Sequence, residues 1–162
     1  MLYSFKYEYF REEQHKNPIP TVDTIIYNDS QVLFIIRKKE PFQGKMVFPG
    51  GFINKGETAE DAAIREVKGE TSLDIVLEHI LGVYSDPGRV PRGHIMSTVF
   101  IGKISSDSNN KEPVAGDGVA ATKWVNLKAF EQEDLGFDHK KILTDYKDWQ
   151  QSRQTSWSTK GK

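Results

Sequence analysis

A chain of 162 residues with 22 basic and 23 acidic side chains carries a formal net charge of −1, which fits one domain and gives no electrostatic case for nucleic acid or an anionic membrane. It contains no cysteine, which excludes disulfides and thiolate chemistry and suits a cytoplasmic location. No apolar run approaches the roughly 20 residues of a membrane-spanning helix, and the opening MLYSFKYEYF lacks the basic-then-apolar form of a signal peptide.

The opening segment alternates aromatic and polar residues, the pattern of an edge strand or of a contact between subunits. Thr21 to Tyr27 and Gln31 to Arg37 read as strands joined by the turn residues Asn28, Asp29 and Ser30, which predicts a hairpin. PFQGKMVFPGG follows as a loop and short strand ending in Pro49, Gly50 and Gly51, a tight turn where backbone can approach a ligand closely. Thr58, Ala59, Glu60 and Asp61 have the hydroxyl-x-x-acid form of a capped helix start. From Ala59 the run AEDAAIREVKGE continues as a helix with Ala59, Ala63, Ile64 and Val67 on its apolar side. IVLEHILGVYSD is extended from Val76 to Tyr84, a Pro/Gly/Arg loop spans Pro87 to Gly93, and HIMSTVFIGKI alternates as a strand. The polar run SSDSNNKEPVAGDG reads as a flexible connection, ATKWVNL as a short strand, and HKKILTDYKDWQ as a helix with Ile142, Leu143, Tyr146 and Trp149 on one side. Asp138 and His139 open that helix as its cap and as a fold contact. Residues 1–150 are expected to form one domain, and the tail QSRQTSWSTKGK has too little apolar content to fold. Strands interleaved with two helices give an α+β fold with a mixed sheet between helices.

Chemistry concentrates on the first helix. Glu66 and Glu70 stand one turn apart on one face. Most surface glutamate pairs are simply solvated. The same pair is also half of a site for a hard divalent cation, which takes oxygen ligands and keeps water or phosphate in the rest of its shell.

The stretch GFINKGETAEDAAIREVKGETSL decides between these readings, because it resembles the Nudix box: glycine, five residues, glutamate, seven residues, Arg-Glu, aliphatic, any residue, Glu-Glu, any residue, glycine, aliphatic. Gly51, Glu57, Arg65, Glu66, Val67, Glu70 and Leu73 occupy its restricted positions. The resemblance implies the Nudix α/β/α sandwich with a mixed β-sheet, and it implies that Arg65 braces the loop through Glu57. It also implies that Glu66 and Glu70 hold Mg2+ or Mn2+, with backbone at Gly50 completing the shell. The stretches RKKEPFQGKMVFPGGF, GVYSDPGRVPRGH and GFDHKKIL extend the likeness to the ADP-ribose pyrophosphatase group, which cleaves the diphosphate of ADP-ribose to AMP and ribose 5-phosphate. Gly50 and Gly51 then lie against substrate, and Arg89 and Arg92 flank Pro91 on a stiff loop as forks for diphosphate or ribose oxygens. Phe42 and Tyr84 are candidates for stacking on adenine, against the alternative that each is core. His94 reads as a polar packing residue rather than a substrate contact. The group also implies a homodimer, with MLYSFKYEYF as the candidate contact.

Two positions of the box depart from its pattern: Gly69 replaces a glutamate and Ser72 a glycine. Gly118 and Ala121 stand where the group carries acids, leaving Asp117, and Val90 stands where an aspartate is common. Each change removes a carboxylate near the expected cation, so fewer metals or slower chemistry follow. Two readings are therefore open. In the first, a hydrolase uses Glu66 and Glu70 as ligands, with one of them as base. In the second, a Nudix-fold module binds ADP-ribose or a related nucleotide as a sensor. Retention of Arg65, Glu66 and Glu70 favours the hydrolase, as does the lack of room after the last helix for a DNA-binding domain.

Overall fold

The computed structural model of the chain describes residues 17–108 and 111–156. Its architecture follows from a hairpin that opens. Strands β1 (Ile19–Asn28) and β2 (Gln31–Arg37) pair antiparallel beside their turn, Tyr27 against Val32 and Asn28 against Gln31. The turn residue Asp29 takes φ 49°, a left-handed conformation that aspartate tolerates better than most side chains. Beyond that point the two strands part, and the segment 46–52 fills the wedge.

Within the wedge, β3 (Met46–Val47) pairs antiparallel with β2, and β4 (Gly50–Phe52) pairs antiparallel with β1, setting Gly51 opposite Val22 and Gly50 opposite Asp23. Thr24 N–H donates to Pro49 O at 2.8 Å and stitches the middle. A side chain at position 50 is impossible without backbone movement, since a Cβ there would stand 2.2 Å from Val22 O. Outside the wedge, β1 runs parallel to β6 (Ile95–Ile104), β6 antiparallel to β5 (Ile75–Tyr84), and β2 antiparallel to β7 (Val119–Asn126). The result is a mixed seven-stranded sheet.

Both faces of the sheet are apolar because β1 and β2 alternate between two cores. On one face Val22, Ile26, Leu33 and Phe100 meet Ala62, Ala63 and Val67 of helix α1 (Ala59–Thr71). On the other, Ile25, Phe34, Val99 and Ile101 meet Ile142, Leu143, Tyr146 and Trp149 of helix α2 (His139–Ser152). This is the α/β/α sandwich expected from the sequence. Helix α1 begins as its cap residues predict: Thr58 Oγ1 accepts from Asp61 N–H at 3.1 Å, worth about 1 kcal/mol. It ends on Ser72, whose φ of 62° places a serine in the left-handed region and whose N–H donates to Lys68 O. No helix among the described residues is long and apolar enough to cross a membrane.

Three expectations change. The polar connection before β7 is tied to the end of α1: Val114 N–H donates to Thr71 O and Gly116 N–H to Glu70 O, while Ser108 is buried and donates to Asp74. Carbonyls left free at the C-terminal end of a helix explain this, because the last carbonyls of α1 need donors from outside it. The tail is also held at its start, where Ser156 N–H donates to Leu81 O at 2.6 Å. Gly82 permits that approach, since a Cβ there would meet Ser156 O at 1.6 Å. Asp138 occupies the cap position of α2 but makes no capping bond. The segment MLYSFKYEYF lies outside the described residues.

Candidate functional site

The wedge brings a glycine turn under the carboxylates of α1. Gly50 N–H donates to Glu70 Oε2 at 3.0 Å, and a Cβ on Gly51 would lie 2.5 Å from Glu66 Oε1. Glycine at position 51 therefore lets the Glu66 carboxylate approach the strand backbone. Arg65 holds the flank of this arrangement. Its Nε and Nη2 donate to the two carboxylate oxygens of Glu57 at 2.6 and 2.8 Å, Nη2 also reaches Phe52 O at 3.0 Å, and Nη1 donates to Glu66 Oε1 at 2.5 Å. Asn54 N–H donates to Glu57 at 2.9 Å. The loop between β4 and α1 is thus fixed to the helix that follows it.

These contacts make the carboxylates unequal. The Arg65 guanidinium, aided by Asn54 N–H, holds Glu57 down to about 2, and Glu57 in turn raises Arg65. Glu70 moves the other way, to about 8, because burial disfavours its charge; Gly50 N–H opposes this, and the neighbouring carboxylates of Glu66 and Asp23 add to it. A carboxylate pushed up by burial and by like charge gains most from a bound cation. The donors are all oxygen, which suits magnesium or manganese. Among the described residues no group of three or more His, Cys, Asp or Glu is arranged for a metal, so a cation held by this pair would draw most of its shell from water and substrate.

A cleft opens beside Glu70, Gly50 and Gly51, and Arg37, Arg92 and Phe137 line its other parts. Arg37, at the end of β2, is fixed by donation from Nε to Pro41 O at 2.7 Å, and its guanidinium lies 5.2 Å from the Phe137 ring centre. Burial lowers its pKa first, and the nearby charge of Arg92 lowers it further. Arg92 is exposed, and its one side-chain hydrogen bond among the described residues is a long one to Glu40 O, at 3.4 Å. Two guanidinium groups thus face the space that the Glu70 carboxylate borders, an arrangement suited to an anion.

The remaining candidates separate from this cluster. Arg89 is only 4% exposed in its side chain and donates through Nε and Nη2 to both oxygens of Asp138 at 2.9 and 2.7 Å, with Asp23 at 3.8 Å. It borders the cleft, yet its fork is already engaged. Tyr84 is core: it is 1% exposed, and its hydroxyl donates to Asp145 at 2.8 Å. Its strand position points it toward α2, away from the carboxylates. Phe42, at φ 65°, packs its ring on Phe137 with centres 4.6 Å apart, and it is Phe137, with Phe48 and Phe52, rather than Phe42 that lines the cleft. His94 closes the neck of its loop against Ser85 O. Val90 is buried on the cleft wall. At position 69 a Cβ would meet nothing within 4 Å, so a longer side chain has room there.

Arg37, Phe137, Asp23 and His139 were not singled out as site residues by the sequence. Arg37 carried a signal, a cation closing an apolar strand. Asp23 carried a fainter one, a carboxylate within a strand that is apolar on both faces. Phe137 and His139 lay within GFDHKKIL, a stretch that carried the likeness, but only the packing of α2 gives each its place.

A model of the NUDIX domain matches residues 17–146 of the chain. An ADP-ribose pyrophosphatase of Methanocaldococcus jannaschii is 44% identical over 133 residues, covering 82% of this chain and 75% of that protein. The NUDIX domain of Shewanella oneidensis NrtR, solved with ADP ribose, superposes with a TM-score of 0.76 over 91% of this chain and 98% of that one; at 23% identity this is a likeness of fold. A bifunctional NMN adenylyltransferase/ADP ribose pyrophosphatase from Francisella tularensis, solved with AMP and a Mn ion, gives a TM-score of 0.72 at 26% identity. That match covers 90% of this chain and 46% of the bifunctional one.

Proposed function

The chain belongs to the Nudix hydrolase family, as a homologue of an ADP-ribose pyrophosphatase, and on that basis we propose that it hydrolyses ADP-ribose to AMP and ribose 5-phosphate. Water attacks one phosphorus of the diphosphate, the bridging P–O bond breaks, and the released protons pass to the site carboxylates and solvent. Glu66 and Glu70, with the backbone at Gly50, would hold a divalent cation, Mg2+ or Mn2+, which when bound would neutralise diphosphate charge and lower the pKa of water. Arg37 and Arg92 bind phosphate or ribose oxygens across the cleft, and Phe137 walls the nucleoside side. Glu57 and Arg65 act indirectly, by fixing the loop and aiming Glu66. Either Glu66 or Glu70 takes the proton from attacking water. The observation that carries this reading is the convergence of Glu66 and Glu70 on the Gly50–Gly51 turn, beside a cleft that presents Arg37 and Arg92.

The decisive experiment is AMP release from ADP-ribose by the purified chain with magnesium, against an EDTA blank and a Gly69→Glu variant. Metal-dependent turnover that disappears in Glu70→Gln supports the hydrolase. Silence in both the original chain and Gly69→Glu overturns ADP-ribose as the substrate.

One observation favours a second reading, a nucleotide sensor that turns ADP-ribose over poorly: the candidate cation site holds a pair of acids where Gly69, Gly118 and Ala121 supply none. Binding of ADP-ribose without turnover, together with turnover by Gly69→Glu, would select it. We propose further that the chain works in the cytoplasm as a homodimer of single Nudix domains, with residues 1–10 at the contact. The absence of cysteine supports the location, and the resemblance to the ADP-ribose pyrophosphatase group with the aromatic-polar alternation of residues 1–10 supports the dimer; light scattering of the full chain against one lacking residues 1–10 tests it.

A further inference from the structure

We propose that Asp138 and His139 are positioning residues that hold the two walls of the cleft in register, one arm to each wall, an inference that rests on the hydrolase reading for its consequences in catalysis. The first arm runs from Asp138 to Arg89. Asp138 is the cap residue of α2, a position where a carboxylate normally accepts from the first free amides of the helix, and it makes no such bond. Both its oxygens instead receive Arg89 at 2.9 and 2.7 Å. Arg89 belongs to the loop 85–94, tied at its neck by the contact of His94 with Ser85 O, and the same loop presents Val90 and Arg92 to the cleft. A forgone cap and a buried two-pronged ion pair together indicate that the position of this loop, rather than of the helix end, is what the carboxylate secures.

The second arm runs from His139 to the opposite wall. His139 is 2% exposed, and its Nδ1 accepts from Phe48 N–H at 2.9 Å, which places the ring proton on Nε2, 3.6 Å from Asp23 Oδ1. The ring also stacks on Phe48, with centres 4.9 Å apart. Phe48 directly precedes Pro49, Gly50 and Gly51, the turn that lies against Glu70 and Glu66. Burial lowers the pKa of His139 and so keeps Nδ1 free to accept. Asp23 joins the arms underneath: Ser97 Oγ donates to it at 2.6 Å, Arg89 lies 3.8 Å away, and its Oδ1 lies 2.9 Å from where a Cβ on Gly50 would be. Two adjacent residues at one helix end thus set the spacing between the guanidinium of Arg92 and the carboxylate of Glu70. Asp138 acts through Arg89, and His139, which borders the cleft, acts through Phe48.

The test compares the full chain with Asp138→Asn, His139→Leu and His139→Gln, the last retaining a side-chain oxygen able to accept from Phe48 N–H. Amide hydrogen exchange reads the arms directly. Asp138→Asn should speed exchange in 85–94 by about tenfold or more, and His139→Leu should do the same in 48–51, each sparing the other wall, the size expected for losing one hydrogen bond to a charged or buried group. Kinetics with ADP-ribose should split in parallel: Asp138→Asn raises KM about tenfold with kcat nearly unchanged, and His139→Leu lowers kcat about tenfold with KM nearly unchanged, on the same arithmetic. His139→Gln should recover much of the loss. Exchange that rises uniformly along the chain, or KM and kcat that move together in both variants, overturns the proposal and leaves a merely structural role. If the unaltered chain does not hydrolyse ADP-ribose, that result counts against the substrate, while the exchange pattern still decides whether the two arms exist.

Discussion

The Glu66 carboxylate fills the space in which any side chain at Gly51 would begin, with Oε1 2.5 Å from an ideal Cβ. The obstacle is the movable end of a side chain, so Gly51→Ala should leave the fold standing while turning Glu66 away from its place beside Arg65. We expect kcat/KM to fall about 100-fold or more, because a displacement of about 1 Å at a reacting site is enough for that. Stability should change by less than about 1 kcal/mol. Gly50→Ala provides the contrast, since its obstacle is the backbone of Val22 at 2.2 Å, and it should destabilise the protein. Urea unfolding of both variants, beside their rates, tests the distinction; equal stability losses would refute it.

Glu70 gives the cation-free protein a pH signature. Its carboxyl ionises near 8 in the fold, against an ordinary 4.5, so between those values the folded state holds a proton that the unfolded chain has released. Stability from this residue therefore falls as pH rises from about 4.5 to about 8, then levels. The window of Glu57, which is held at about 2, lies below it and has the opposite sign. Urea midpoints taken in EDTA from pH 5 to 9 should decline in the original chain and decline less in Glu70→Gln. Saturating magnesium should flatten the decline by displacing the proton. A slope of the same size in Glu70→Gln would show that another group is responsible.

Helix α1 carries two local costs that substitution should relieve. Ser72 adopts φ 62°, and Ser72→Gly should add about 1 kcal/mol, because the left-handed conformation penalises a side chain. Gly69 lies inside the helix with open space around it, and Gly69→Ala should add about 1 kcal/mol through helix propensity. Thermal or urea unfolding measures both. A loss of stability in Ser72→Gly would mean that the hydroxyl, rather than the backbone conformation, matters there.

Tyr84→Phe separates core from site. Its hydroxyl donates to Asp145, which keeps Lys141 Nζ at 2.7 Å, so removal should cost about 1 kcal/mol, as for one hydrogen bond. KM for ADP-ribose should not change, because the ring faces α2 rather than the cleft. A raised KM would return Tyr84 to the substrate site.

The spacing of Gly51, Glu57, Arg65, Glu66 and Glu70 determined the helix, its cap at Thr58 and the family, because these are local relations fixed by the turn of a helix and the length of one loop. The interleaving of strands with two helices likewise foretold a sheet between helices. Tertiary structure alone decided what each arginine and aromatic does. Arg89 and Arg92 look alike in sequence, yet one lies buried against Asp138 from a helix 49 residues later and the other reaches the cleft. Tyr84 and Phe42 could be sorted only once β5 had turned one ring toward α2 and the loop before β3 had packed the other on Phe137. A guanidinium or a phenyl ring takes its function from the nearest opposite charge or apolar wall, and in this protein those neighbours arrive from distant parts of the chain.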